Sequence, residues 1–251
     1  MARLNAHGHA LAYEHTPGAG PTTVFLPGFR SDMTGSKALA IESWCQARGT
    51  ACLRLDYSGH GASEGAFTDG TIGQWTADAL QVIDAVTQGP LLLVGSSMGG
   101  WIALLVALAR PARTAAVLGI AAAPDFTETL MWDAMMPQER ATLARDGVFM
   151  APSQYGDPTP ITRALIEDGR NHLLLQAPIP IHCPVRLLQG QRDPDVPWET
   201  ALRIADRVES PDIQVTLVKD GDHRLSRPQD LAVLQRLHAG LLDTLTPNPQ
   251  S

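Results

Sequence analysis

Apolar residues along this chain gather in short continuous runs rather than in strict alternation. Residues 22–26, 50–55, 90–94, 115–121, 184–189 and 213–218 each form such a run, bounded by Gly, Pro or Asp. Runs of this length predict strands buried on both faces, as in a parallel sheet. Between them the pattern changes to helical spacing. One helix starts near Ser36 and stops at Gly49, and a second runs from the capping-box pattern Thr71-Ile-Gly-Gln74 to about Gln88. Others cover 101–109, a stretch ending near Val208, and a final segment opened by Ser226-Arg-Pro-Gln229. Strand and helix alternate, which predicts an α/β, doubly wound core with a mostly parallel sheet. Ahead of it, residues 3–15 alternate loosely about Gly8 and predict an edge hairpin, followed by a break at Pro17-Gly-Ala-Gly-Pro21.

The rhythm fails over residues 124–182, where helix signals recur without a clear sheet strand: 127–135, then Pro137 to Gly147, then a turn from Thr159-Pro160 to near Gly169. A stretch of that length is too long for a connecting loop and predicts an inserted, mainly helical cap. The expected division is a core of residues 1–123 and 183–251 with a cap at 124–182. Met131, Trp132, Met135, Met136, Phe149 and Met150 make the cap rich in large, adaptable apolar side chains. Most should pack the cap onto the core; Trp132, Met135 and Met136 are the candidates for lining a substrate pocket.

Charge narrows the partners. With 19 Lys+Arg against 26 Asp+Glu, the formal net charge is −7, which disfavours nucleic acid and anionic membranes. No apolar run approaches the ~20 residues of a membrane span, so stable membrane insertion is not expected. Cys45, Cys52 and Cys183 lack C-x-x-C spacing and sit in apolar segments, as buried thiols of a reducing compartment would. The first residues carry neither a secretion signal nor a transit peptide pattern, so a cytoplasmic protein is expected. Composition sets no oligomeric state. The tail 246–251 reads as frayed.

The strongest chemical signal lies where the run 90–94 meets the helix 101–109. Gly95-Ser96-Ser97-Met98-Gly99 is a Gly-x-Ser-x-Gly turn between strand and helix, the nucleophile elbow, which holds Ser97 at the tip of a strained bend. A serine hydroxyl needs a base, and the base needs a partner that fixes its tautomer. In the elbow architecture these follow in the order Ser, Asp or Glu, His, each in a loop after a strand. Ser97, Asp193 and His223 satisfy that order. His172, His182 and His238 fall in or at the end of the insertion or inside a helix and suit structural or surface roles. The developing oxyanion needs two backbone N–H donors, and Phe29 and Met98 occupy the expected positions. Residues 56–65 superficially suggest a dinucleotide loop, but the third glycine is one place late and no helix opens there. His7 and His9 lack a third ligand and read as exposed edge-strand histidines.

Further matches carry a resemblance. Pro27-Gly28, Lys37-Ala-Leu-Ala-Ile41, Asp56-Tyr-Ser-Gly59, Gly99-Gly-Trp101, Pro178-Ile-Pro180, Cys183-Pro184, Val196-Pro-Trp198, Ala205-Asp-Arg-Val208 and Asp222-His-Arg224 all take part. Over essentially its full length the chain resembles the α/β-hydrolase superfamily, in the branch of the mitochondrial palmitoyl-protein thioesterase and mycophenolic acid acyl-glucuronide esterase. The resemblance implies the α/β-hydrolase fold and a serine carboxylester or thioester hydrolase without metal or cofactor. Its partners would be small-molecule acyl esters or thioesters, or an acyl-protein. The family spacing Gly-x-x-Asp-x-x-Val-Pro falls on Gly190, Asp193, Val196 and Pro197, which selects Asp193 over Asp195. An acyltransferase or peptidase would use the same triad, and a non-catalytic binding module is the alternative from another class. A serine at 97 argues against dehalogenase and epoxide-hydrolase chemistry, which needs a carboxylate there. An apolar acyl group of short to medium length is expected under the cap, with Arg30 and Lys37 as solvated surface charges.

Overall fold

The computed structural model describes residues 1–6, 8–152 and 156–245. His7 and the tail 246–251 lie outside the described residues. Strands β1 (Ala2–Ala6) and β2 (His9–Thr16) form the N-terminal hairpin. They are followed by β3 (Ala19–Leu26), α1 (Ser36–Arg48), β4 (Thr50–Leu55), α2 (Ile72–Val86), β5 (Leu91–Ser96), α3 (Met98–Ala109) and β6 (Thr114–Ile120). After a long intervening segment come β9 (Val185–Gly190), α6 (Glu199–Arg207), β10 (Ile213–Val218) and α7 (Pro228–Leu245). Together these strands make an eight-stranded sheet in the order β1-β2-β4-β3-β5-β6-β9-β10. It is parallel except where β2 pairs with β1 and β4.

The central strands are mainly apolar on both faces because each face carries helices. Val24, Leu26, Leu91 and Leu93 pack with Trp75 of α2 and Trp101 of α3. Their neighbours Phe25, Leu92 and Val94 point the other way, to Ile41 and Cys45 of α1 and Leu234 and Leu241 of α7. The period-2 alternation of side chains thus divides a continuous apolar run between two cores.

Two local expectations are corrected. The break does not extend to Pro21: it ends at Gly18, and β3 begins at Ala19, whose N–H donates to Gly49 O at 2.9 Å. A register shift against β4 between Ala19 and Thr23 absorbs Pro21, which has no N–H to give the ladder. At Thr71 only half of the capping box forms. Thr71 Oγ1 accepts Gln74 N–H at 3.2 Å, but the Gln74 side chain turns to the buried carboxylate of Asp78 at 2.8 Å.

Between β6 and β9 the chain adds no strand to the main sheet. It forms a π-helical turn (Thr127–Trp132), α4 (Pro137–Asp146), β7 (Val148–Ala151), β8 (Thr159–Thr162) and α5 (Arg163–Gly169). The pair β7 and β8 is an antiparallel ladder absent from the sequence expectation. Each strand has four residues and one carries Pro160, too short and too interrupted for a periodic signal. Met135, Leu143, Ile161 and Ile166 form a small apolar cluster within the segment. Among the described residues no helix is long and apolar enough to cross a membrane.

Candidate active site

Ser97 sits between β5 and α3 at φ +55° and ψ −119°, a backbone conformation that a non-glycine residue keeps only when its surroundings enforce it. Three hydrogen bonds do so: Ser97 N–H to Ile120 O at 2.9 Å, Gly100 N–H to Ser97 O at 2.8 Å and Ala123 N–H to Ser97 O at 3.1 Å. The crossing is tight. A Cβ on Gly99 would lie 2.0 Å from Leu26 O, a backbone atom that cannot swing away. Gly99→Ala is therefore expected to destabilise the fold by about 3 kcal/mol or more, read as a fall in the urea midpoint at unchanged slope.

His223 follows β10, and Asp193 follows β9. The two exits are pinned together by Arg192 N–H on Gly221 O at 2.9 Å, with Gly190 packed so closely that a Cβ would lie 2.4 Å from Gly221 O. His223 Nε2 lies 3.1 Å from Ser97 Oγ, and His223 Nδ1 lies 2.8 Å from Asp193 Oδ2. The Asp193 side chain has no solvent exposure. Each of its oxygens has two N–H partners: Oδ1 accepts from Asp195 N at 2.9 Å and Val196 N at 2.8 Å, while Oδ2 accepts from Gln189 Nε2 at 2.9 Å and from His223. Asp195 gives Asp193 its backbone N–H, and its side chain lies at the cavity wall. Gln189, fully buried in β9, escaped the sequence reading. Its signal was a lone amide closing a run that is apolar apart from Arg186.

Met98 opens α3, so its N–H and the positive end of that helix face the elbow. Phe29 lies in the loop after β3, its ring edge-on to Phe67 at 4.9 Å, Phe126 at 5.6 Å and Trp75 at 5.9 Å. Among the described residues, neither the Phe29 nor the Met98 N–H donates to another protein group. The other histidines are engaged elsewhere. His172 lies 3.6 Å from Asp168, His182 is exposed 3.8 Å from Glu209, and His238 is buried 2.9 Å from Thr23 Oγ1.

A cavity of about 1030 Å³ opens over Ser97 and His223. From the 124–182 segment it is lined by Phe126, Leu130, Met131 and Ile161. The expected pocket residues Trp132, Met135 and Met136 do not line it. The Trp132 ring is held between the guanidinium groups of Arg140, at 4.6 Å, and Arg170, at 4.7 Å. Met135 is buried in the segment's own cluster, and Met136 is 61% exposed just before α4. Leu130 and Met131, which do line the cavity, belong to the π turn, where Asp133 N–H bonds Glu128 O five residues back; side-chain type, the ground of the expectation, does not fix which residues of the segment face inward. Arg30 and Lys37 both line the cavity; Arg30 is exposed, as expected of a solvated charge, whereas Lys37 is half-buried and departs from that expectation. Arg30 Nη1 donates to Asp157 O at 3.0 Å and Thr159 Oγ1 at 2.7 Å. Lys37 Nζ donates to Arg224 O. Burial, assisted by the Arg224 charge, lowers its pKa to about 8.

A parallel sheet covered on both faces, with a serine elbow, a histidine and a carboxylate at the strand ends, defines an α/β hydrolase, and the chain belongs to the alpha/beta hydrolase family, whose profile matches residues 23–234. Among relatives, it is 41% identical to the mitochondrial palmitoyl-protein thioesterase of Homo sapiens over 238 residues, 94% of this chain and 78% of that one. The counterpart from Pongo abelii is 42% identical with the same coverage. Alpha/beta hydrolase domain-containing protein 10 from mouse superposes with a TM-score of 0.90 at 39% identity, covering 98% of this chain and 99% of that one. A crystal structure from Agrobacterium vitis S4 reaches 0.92 at 42% identity, covering 96% and 97%.

The cytoplasmic expectation is corrected by these relatives, which are named as mitochondrial. Free Cys45, Cys52 and Cys183 speak to reducing conditions, and those conditions do not single out one compartment.

Proposed function

We propose that the protein is a serine hydrolase that cleaves carboxylic thioesters and esters through an acyl-enzyme on Ser97. The observation that carries this reading is the hydrogen-bonded chain from Ser97 Oγ through His223 to Asp193, at 3.1 and 2.8 Å. In the proposed cycle His223 Nε2 takes the Ser97 proton as Oγ attacks the acyl carbon. The carbonyl oxygen becomes negative between the Phe29 and Met98 N–H groups. As the tetrahedral adduct collapses, the bond to the thiol or alcohol breaks and His223 returns its proton to that leaving group. Water then repeats the sequence on the acyl-enzyme, giving the carboxylic acid and free Ser97. Asp193 keeps the proton on His223 Nδ1 and steadies the imidazolium.

The names of the curated relatives favour thioesters, on small molecules or on acylated proteins. Residues 124–182 act as a cap, and the acyl chain lies against Leu130 and Met131. At about 1030 Å³ the cavity is at the upper end of small-molecule pockets, which leaves room for chains longer than the short to medium acyl group expected from the sequence.

The test is a thioester and a p-nitrophenyl ester series of graded acyl length, run beside fluorophosphonate labelling mapped to Ser97. Each methylene placed against apolar walls contributes about 0.8 kcal/mol, so kcat/KM should climb with chain length until the pocket is filled. Leu130→Ala with Met131→Ala should lower kcat/KM for the best substrate by about tenfold or more relative to an acetyl substrate. A flat profile, or an optimum that the double variant leaves unmoved, would exclude these residues from acyl selection.

A further inference from the structure

The loop carrying Phe29 is held from behind by residues that follow β4. Tyr57 Oη donates to Pro27 O at 3.2 Å, on one side of the donor, and His60 Nε2 accepts the Arg30 N–H at 3.3 Å, on the other. The second ring nitrogen of His60, Nδ1, lies 3.2 Å from Ser58 O. A carbonyl only accepts, so Nδ1 carries the proton and Nε2 offers its lone pair to Arg30. The imidazole is 4% exposed and meets Trp75 at 5.0 Å, Phe67 at 5.2 Å and Tyr57 at 5.6 Å, all nearly edge-on. Trp75 and Phe67 are also contacts of the Phe29 ring. Burial lowers the His60 pKa and favours the uncharged ring that can accept; the Ser58 carbonyl and the Asp78 and Asp32 charges act in the opposite sense.

Arg30 has a second reason to need such a partner. Its backbone stands at φ +55°, and its guanidinium reaches across to Asp157 O and Thr159 Oγ1 at β8. Ser31 N–H closes this turn on Gly28 O at 3.0 Å, and the contact at the Arg30 amide adds a second hold on it. The adjoining peptide carries the Phe29 N–H.

We propose that His60 is a positioning residue for the oxyanion hole: by clamping the Arg30 amide it aims the Phe29 N–H at the oxygen that turns negative during acyl transfer. The inference rests on the serine-hydrolase reading above. His60 touches no reacting atom. Losing the clamp withdraws stabilisation that exists only in the transition state, so kcat falls while KM holds.

Two variants separate the clamp from simple packing. His60→Phe keeps a ring among Trp75, Phe67 and Tyr57 but has no acceptor, whereas His60→Gln supplies a side-chain oxygen. With active sites counted by fluorophosphonate, His60→Phe is expected to lose about 10- to 100-fold in kcat, part of the 10²–10³ that one donor contributes, with KM changed by less than about threefold. His60→Gln should recover most of that loss. A folded His60→Phe protein with wild-type kcat, a change confined to KM, or a His60→Gln protein as impaired as His60→Phe would overturn the proposal. Nitrogen-15 NMR of the wild-type histidines needs no variant: Nε2 of His60 is expected unprotonated at about pH 7, and a protonated Nε2 would refute the clamp even if His60→Phe fails to fold. Ser97→Ala in the same assay distinguishes the two levels, because activity retained there sinks the serine mechanism itself and not the role of His60.

Discussion

Ser97→Ala is expected to lower thioester and ester hydrolysis by about 10⁶-fold while leaving the fold intact. The hydroxyl is the proposed nucleophile, and among the described residues its side-chain hydrogen bond is the 3.1 Å contact to His223. Alanine at φ +55° carries the same backbone strain as serine, so the melting temperature should barely move. Ser97→Gly makes a sharper version of the test. It removes the nucleophile and the strain together, and should be equally inactive yet more stable by about 1 kcal/mol. His223→Ala should match Ser97→Ala, and the double variant should be no worse than either single one, because the two groups act as a unit. Near wild-type turnover by the Ser97→Ala protein, measured with a thioester and free-thiol detection, would remove the proposed mechanism.

Asp193→Asn should reduce turnover by about 10⁴-fold, and Asp195→Asn by less than tenfold. The asymmetry follows from the donors around residue 193. The N–H groups of Asp195 and Val196 hold one side-chain oxygen at 2.9 and 2.8 Å, and an asparagine would keep its carbonyl there. Its amide would then face His223 Nδ1 with hydrogens instead of a lone pair. The imidazole must answer by moving its proton to Nε2, the atom that has to accept from Ser97. Gln189, which donates to the same position at 2.9 Å, would meet a second donor and be pushed to reorient. At position 195 the backbone N–H serves Asp193, and an asparagine keeps it. Rates for both variants at saturating substrate decide the matter. A larger loss at 195 would transfer the acid role to that residue.

How much of this was legible in the chain varies with the range of the physics. The run 50–55 is a strand and the stretch from Ser36 to Gly49 a helix because apolar continuity and a left-handed C-cap glycine are local properties. The elbow is equally local: glycine at 99 is required wherever a helix starts this close to the neighbouring strand end. Between β6 and β9 local signals fail, since four-residue strands have too few positions to show a period, and side-chain type alone does not tell which apolar residues of the π turn and its neighbours face the cavity.

The sequence by itself determined the alternation of strands and helices, the family and the order of Ser97, Asp193 and His223 along the chain. Tertiary structure alone decided which side chains stand around them. Ser97 and His223 are 126 residues apart, and Arg30 and the β8 residue Thr159 are 129 apart. Contacts at such separations depend on where the sheet returns the chain, and the residues themselves carry no periodic mark of it. Gln189 and His60 therefore looked like a strand end and a loop residue, and Met131 like one apolar side chain among several. Their roles come from burial against partners far away in sequence, where a buried polar atom must find a hydrogen bond and an apolar one must face either the core or the cavity.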